Sequence, residues 1–215
     1  MAARRAAVST RTVRVAGRPV LTMVTARPGA ARRWVRATMW RFAGRLRSAA
    51  GLTVGLGVQW TPPFRAVAEP QPGTLQLCAG SRCLVFQLAR AGAVPALLRR
   101  FLADERVTFA GYNVASDCRK LHAHHGLEVA STMELRRESG MGGASMARMA
   151  ATLLGIRGVE KPAEVGRSEW DAATLSKKQV RYACVDAYLS CRLGVRLRAG
   201  DKATLVSDDD DDDSD

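Results

Sequence analysis

Residues 176–195 read Ser-Lys-Lys-Gln-Val-Arg-Tyr-Ala-Cys-Val-Asp-Ala-Tyr-Leu-Ser-Cys-Arg-Leu-Gly-Val, and their spacing describes one amphipathic helix. Ser176 and Gln179 stand three apart at its start, the pattern of a capping box in which each side chain satisfies the other residue's backbone N–H. Val180, Ala183, Cys184, Ala187, Tyr188 and Cys191 recur at helical spacing and form the buried stripe. Tyr182 and Asp186, four apart, lie on a neighbouring flank, so a phenol and a carboxylate project side by side. In a metal-assisted site the carboxylate can ligate an ion and the phenol can orient a water, but a core tyrosine beside a solvated aspartate gives the same spacing. The rest of the chain has to decide between them.

Working back from this helix, Val54-Gly-Leu-Gly-Val-Gln-Trp60 alternates with a period of two. Val54, Leu56, Val58 and Trp60 point one way; Gly55, Gly57 and Gln59 point the other, on a face with no apolar side chain. Two glycines in one strand mark either a close backbone approach or a lost side chain. Thr12–Val15 with Val20–Val24 and Thr74–Cys78 with Cys83–Leu88 read as hairpins, the first at a sheet edge. The second hairpin extends the glycine strand into three antiparallel strands. Ala30–Leu46 reads as an amphipathic helix with Arg on its outer face, either solvated or available to phosphates.

From Val94 the pattern alternates: helix 94–104, strand 107–112, helix 116–124, strand 129–134, a loop over 136–143, helix 145–154, and an irregular stretch over 157–174 around Trp170. Such alternation requires crossovers onto a parallel part of the same sheet. Asp117 falls in the first turn of the helix that Ser116 would cap, where the dipole favours an anion. His122 and His125 share a face but have no matching ligand motif, so they read as an exposed helix end.

The 215 residues, 47% hydrophobic and 25% charged, suit one α/β domain. The net charge of +13 is unevenly placed: residues 1–50 hold 12 Arg and no acid, whereas the stretch from Ser207 holds 7 Asp. Such an imbalance favours a polyanionic partner, DNA or RNA. Five cysteines with no Cys-x-x-Cys fit a reducing compartment, so the expected location is intracellular, nucleus or cytoplasm. The longest uncharged run, Ser48–Phe64, contains three Gly and two Pro, so no membrane partner is expected. The expected organisation is a short basic leader over 1–10, a domain over 11–206 and a disordered acidic tail over 207–215.

Three blocks now stand in order: Val54-Gly-Leu-Gly-Val-Gln-Trp60, Phe109-Ala-Gly-Tyr-Asn-Val-Ala-Ser-Asp-Cys-Arg-Lys-Leu121, and Leu175 to Tyr188 with its Tyr-x-x-x-Asp. Over residues 11–199 the chain resembles the ribonuclease-H-like 3′-5′ exonucleases of the DEDD group, in particular the Werner-syndrome-type Tyr-x-x-x-Asp subgroup in its stand-alone plant form. The resemblance implies a mixed sheet, antiparallel strands followed by parallel ones, flanked by helices. It also implies four carboxylates holding two Mg²⁺ or Mn²⁺ ions that activate water against a phosphodiester. Asp117, Tyr182 and Asp186 match the family's second and third motifs and are the catalytic candidates, with Asp117 and Asp186 as metal ligands.

The first motif departs from the family, because Gly57 and Gln59 stand where the resemblance calls for Asp and Glu. The loss falls on the strand face without apolar side chains, so it removes ligands and leaves the scaffold. Two carboxylates cannot offset the dehydration of a hard cation as four do. Three readings follow: a nucleic-acid-binding family member with impaired catalysis, an active exonuclease that recruits Asp171 or Glu134 as a ligand, and a protein-interaction module.

Overall fold

The computed structural model describes residues 8–63, 70–159 and 161–207. Seven strands form one sheet: β1 Val8–Val15, β2 Arg18–Thr25, β3 Leu52–Gln59, β4 Thr74–Ala79, β5 Arg82–Phe86, β6 Val107–Gly111 and β7 Thr132–Glu134. Their spatial order is β1-β2-β5-β4-β3-β6-β7. β3, β4 and β5 are antiparallel in succession, β6 and β7 add in parallel beside β3, and the β1–β2 hairpin joins β5 through a parallel pairing. This is the mixed sheet that the alternation of patterns predicts.

The helices are α1 Pro28–Arg41, α2 Ala43–Arg47, α3 Ala96–Leu102, α4 Val114–His125, α5 Leu135–Glu138, α6 Met146–Leu154, α7 Ala163–Gly166 and α8 Lys177–Ser207. One core layer joins Trp34 and Val35 of α1, Leu98 and Phe101 of α3, and Leu121 of α4 to Val54, Leu56 and Val58 of β3. The other puts Val180, Ala183, Cys184 and Ala187 of α8 against Val85 and Ala110, with Met149 of α6 and Trp170 beside them. β3 therefore turns its branched side chains to one layer and its glycines to α8.

Local chemistry explains the boundaries. Gln179 Oε1 accepts from Ser176 N at 2.9 Å and Ser176 Oγ from Gln179 N at 3.2 Å, the reciprocal capping box expected at the start of α8. Ala16 and Gly17 both take positive φ (47° and 77°), which turns β1 into β2 in two residues.

Several expectations are corrected. β1 begins at Val8, so three residues assigned to the leader belong to the sheet. The helix expected over 30–46 breaks at Phe42 into α1 and α2. α4 starts at Val114 behind Asn113 (φ 63°), two residues before Ser116. β7 is confined to Thr132–Glu134, and the stretches read as loops hold α5 and α7. The acidic run 208–215 lies outside the described residues. Cys78 and Cys83 oppose each other across β4–β5 as free thiols. No helix among the described residues is long and apolar enough to cross a membrane.

Candidate functional site

Three elements converge at the C-terminal end of β3. α8 brings Tyr182 and Asp186, α4 brings Asp117, and β3 brings Gly57 and Gln59 beneath them. Asp117 and Asp186 are 7% and 8% exposed, too buried for solvated surface aspartates. The two glycines of β3 have different causes. A Cβ at Gly55 would lie 1.9 Å from the carbonyl oxygen of Ala187 and 2.6 Å from the Cys191 nitrogen, so this glycine admits the backbone of α8. At Gly57 a Cβ would meet Asp186 Oδ2 at 2.8 Å and Gln76 Oε1 at 3.0 Å, both side-chain ends. Gly57 thus faces the carboxylate of Asp186, and Gln59 Nε2 donates to Asp186 Oδ2 at 3.4 Å.

Sequence reasoning missed Lys161. Its ammonium forms an ion pair with Asp186 Oδ1 and lies 4.8 Å from the centroid of the Tyr182 ring. Nothing in its neighbourhood announces it, since Lys161-Pro162 opens the one-turn helix α7 inside a stretch without periodicity. Burial pulls the lysine's pKa down, but Asp186, Tyr182 and Asp117 together more than reverse that, so it stays charged. The Tyr182 phenol is pushed up chiefly by burial and keeps its proton; its hydroxyl lies over Gly166, where a Cβ would come within 2.8 Å. Trp170, fully buried, packs 5.8 Å from the Tyr182 ring and donates to Gly166 O at 3.0 Å.

Asp117 has its pKa raised to about 8, first by burial and second by the charge of Asp186. A hydrogen bond from the Val58 backbone and the more distant Lys120 and Lys161 oppose the rise without cancelling it. Of the two acids Asp117 is thus the one that holds its proton, while Asp186 is the one paired with the Lys161 ammonium.

This arrangement does not fit a pair of divalent ions. Both oxygens of Asp186 already accept from protein donors, and positions 57 and 59 offer no carboxylate. Among the described residues no group of three or more His, Cys, Asp or Glu could hold a metal. The two acids considered as substitutes are engaged elsewhere. Glu134 accepts from the backbone nitrogens of Asn113 and Val114 at 3.0 Å each and so caps α4, while Asp171 binds the Thr61 hydroxyl at 2.5 Å. What the geometry retains is a cleft of about 720 Å³ beside the pair, lined by Tyr112, Ser145, Met146, Lys161, Glu164 and Tyr182.

The sheet order and the helix that closes over β3 define the class: an α/β protein with the ribonuclease-H-like fold of exonucleases. Escherichia coli RNase D, an exoribonuclease involved in structured RNA processing, superposes with a TM-score of 0.63 at 18% identity, over 85% of this chain and 48% of that one. Brucella melitensis NrnC superposes with a TM-score of 0.59 at 18% identity, over 74% of this chain and 78% of that one. A family model described as 3′-5′ exonuclease matches residues 50–199, and the chain belongs to that family. A 3′-5′ exonuclease of Arabidopsis thaliana is 29% identical over 147 residues, 65% of this chain and 50% of that protein. The exonuclease 3′-5′ domain-containing protein 2 of Drosophila melanogaster is 31% identical over 123 residues, 54% of this chain and 20% of that protein. The chain spans half or less of the length of these curated relatives.

Proposed function

We propose that the chain is a nucleic-acid-binding member of the 3′-5′ exonuclease family whose metal-dependent hydrolysis is disabled, of the Werner type by its motifs and intracellular by its free cysteines. The observation that carries this reading is the Lys161–Asp186 ion pair above Gly57: the carboxylate that would ligate a cation is neutralised by an ammonium of the chain itself. Losing ligands alone would leave an anionic hole; here the charge is balanced within the fold. The open cleft beside the pair and the excess of basic residues support retained binding of a polyanion, DNA or RNA. Within the cleft Lys161 offers positive charge, and Tyr112 and Tyr182 offer aromatic faces on which a base can stack.

The test is a 3′-labelled oligonucleotide incubated with the full chain and Mg²⁺ or Mn²⁺, with binding measured in parallel. Binding that falls steeply with salt, without shortening of the label, is the expected result. Metal-dependent shortening that a chelator abolishes, and that Asp186→Asn also abolishes, overturns the proposal.

A further inference from the structure

A second surface lies away from the cleft. α1 exposes Arg32, Arg33, Arg36 and Arg41, and among them stands Trp40, 82% exposed, the most exposed large apolar side chain among the described residues. Arg32, Arg36 and Trp40 follow one another at i, i+4 and i+8, a single stripe stepping about 6 Å at a time along the helix. Trp34 and Val35 of the same helix are buried, so the opposite face supplies all the packing α1 needs and Trp40 is surplus to it. None of the four arginines forms an ion pair with a described residue.

The surface continues past the break at Phe42. A groove of about 340 Å³ has Phe42 and Val195 on its walls and Arg45, Arg192 and Arg198 around them. Arg192 has a buried Nε without a hydrogen-bond partner among the described residues. The groove meets β3 at Leu52 and Thr53, whereas Gly57 and Asp186 sit at the far end of that strand. Along α8 the nine residues from Tyr182 of the cleft to Cys191 of the groove separate the two by about 14 Å.

We propose that α1, α2 and the adjoining part of α8 bind single-stranded nucleic acid, with Trp40 stacking on a base and the flanking arginines holding phosphates. An exposed indole set among guanidiniums that pair with no described acid is the chemistry such a strand requires, because each base has a face to stack and each phosphate a charge to neutralise. A second copy of the chain is disfavoured as occupant, since two such faces would bring like charges together. The proposal rests on the nucleic-acid reading above only for the class of ligand; the surface is separate.

The experiment measures binding of an oligothymidylate to the full chain as salt is varied, for the wild type, Trp40→Ala, Trp40→Phe, the pair Arg32→Gln with Arg36→Gln, and Tyr182→Ala as a cleft variant. Trp40→Ala is expected to weaken binding about tenfold, with Trp40→Phe recovering most of the loss. The arginine pair should flatten the slope of log affinity against log salt by about 1.4, as loss of two single-strand phosphate contacts requires. Wild-type binding that Tyr182→Ala weakens and Trp40→Ala leaves unchanged confines the ligand to the cleft and overturns this proposal alone. An oligoaspartate peptide binding as tightly as the oligonucleotide, equally in wild type and Trp40→Ala, overturns it in favour of an acidic polypeptide. No wild-type binding of the oligonucleotide at low salt overturns this proposal and the nucleic-acid reading together.

Discussion

Asp117→Asn should change how stability depends on pH. The folded-state pKa of Asp117 is about 8, against 3.8 for the free side chain. Between these values the folded protein holds this proton and the unfolded chain has released it, so raising the pH favours unfolding. One group in that state costs about 1.4 kcal/mol per pH unit. Between pH 5 and pH 7, inside the window, the wild type should lose roughly 3 kcal/mol on this account. Below 3.8 the contribution is fully retained; above about 8 no further loss comes from this residue. Asparagine keeps the neutral shape and an oxygen able to accept from the Val58 backbone, but has no proton to lose. Urea unfolding followed by tryptophan fluorescence at pH 5 and pH 7 gives the comparison, and subtracting the variant's pH dependence from that of the wild type removes every other titrating group. If the two proteins lose the same stability across the interval, Asp117 is ionised in the fold and the charge balance assigned to Asp186 and Lys161 is wrong.

The glycines of β3 make a paired test: Gly55→Ala drives a methyl into the backbone of α8 and should cost about 3 kcal/mol or prevent folding, whereas Gly57→Ala meets only side-chain ends and should cost under about 1 kcal/mol. Equal costs in thermal or urea unfolding would show that α8 does not press on Gly55. Restoring Gly57→Asp with Gln59→Glu should give little affinity for Mn²⁺ by calorimetry while Lys161 still neutralises Asp186, and clear affinity once Lys161→Ala is added. Tight Mn²⁺ binding to the double variant would mean that the lysine yields freely and does not govern the site.

The sheet was readable because its strands declare themselves by alternation and its long helix by a stripe and a capping box. On β3 the sequence offers two causes for glycine, a close approach or a missing side chain, and the structure assigns one to each: Gly55 is pressed by a helix backbone and Gly57 faces a carboxylate. No local pattern separates them, because the difference lies in the partner across the interface. Lys161 escaped for the same reason. Its role depends on a contact 25 residues away in a segment without periodicity. Asn113 was missed as the start of α4 because Glu134, from the neighbouring strand, satisfies the backbone nitrogens that a local cap would have served. Trp40 is legible in the opposite sense: the α1 stripe is complete without it, and the indole is left exposed.

Residues 155–159 and 161–176 have little regular structure of their own, yet Val159, Lys161, Pro162 and Glu164 form one wall of the cleft. It is fastened at separate points: Lys161 to Asp186, the Trp170 backbone nitrogen to the Thr61 hydroxyl at 2.8 Å, and Ser168 and Glu169 to the Gln179 amide at 3.0 Å and 2.7 Å. The ties to Asp186 and Gln179 end on α8, and Gln87 adds another by donating to Ala172 O at 3.1 Å. A wall held by polar ties and by the buried side chains of Val165, Trp170 and Leu175 should open more cheaply than the sheet behind it. Its amides should exchange with solvent as one cooperative unit ahead of β3 and α8, and releasing the Lys161 tie should loosen the whole unit. The lysine that balances the charge of the cleft should thus also set how often its wall is released.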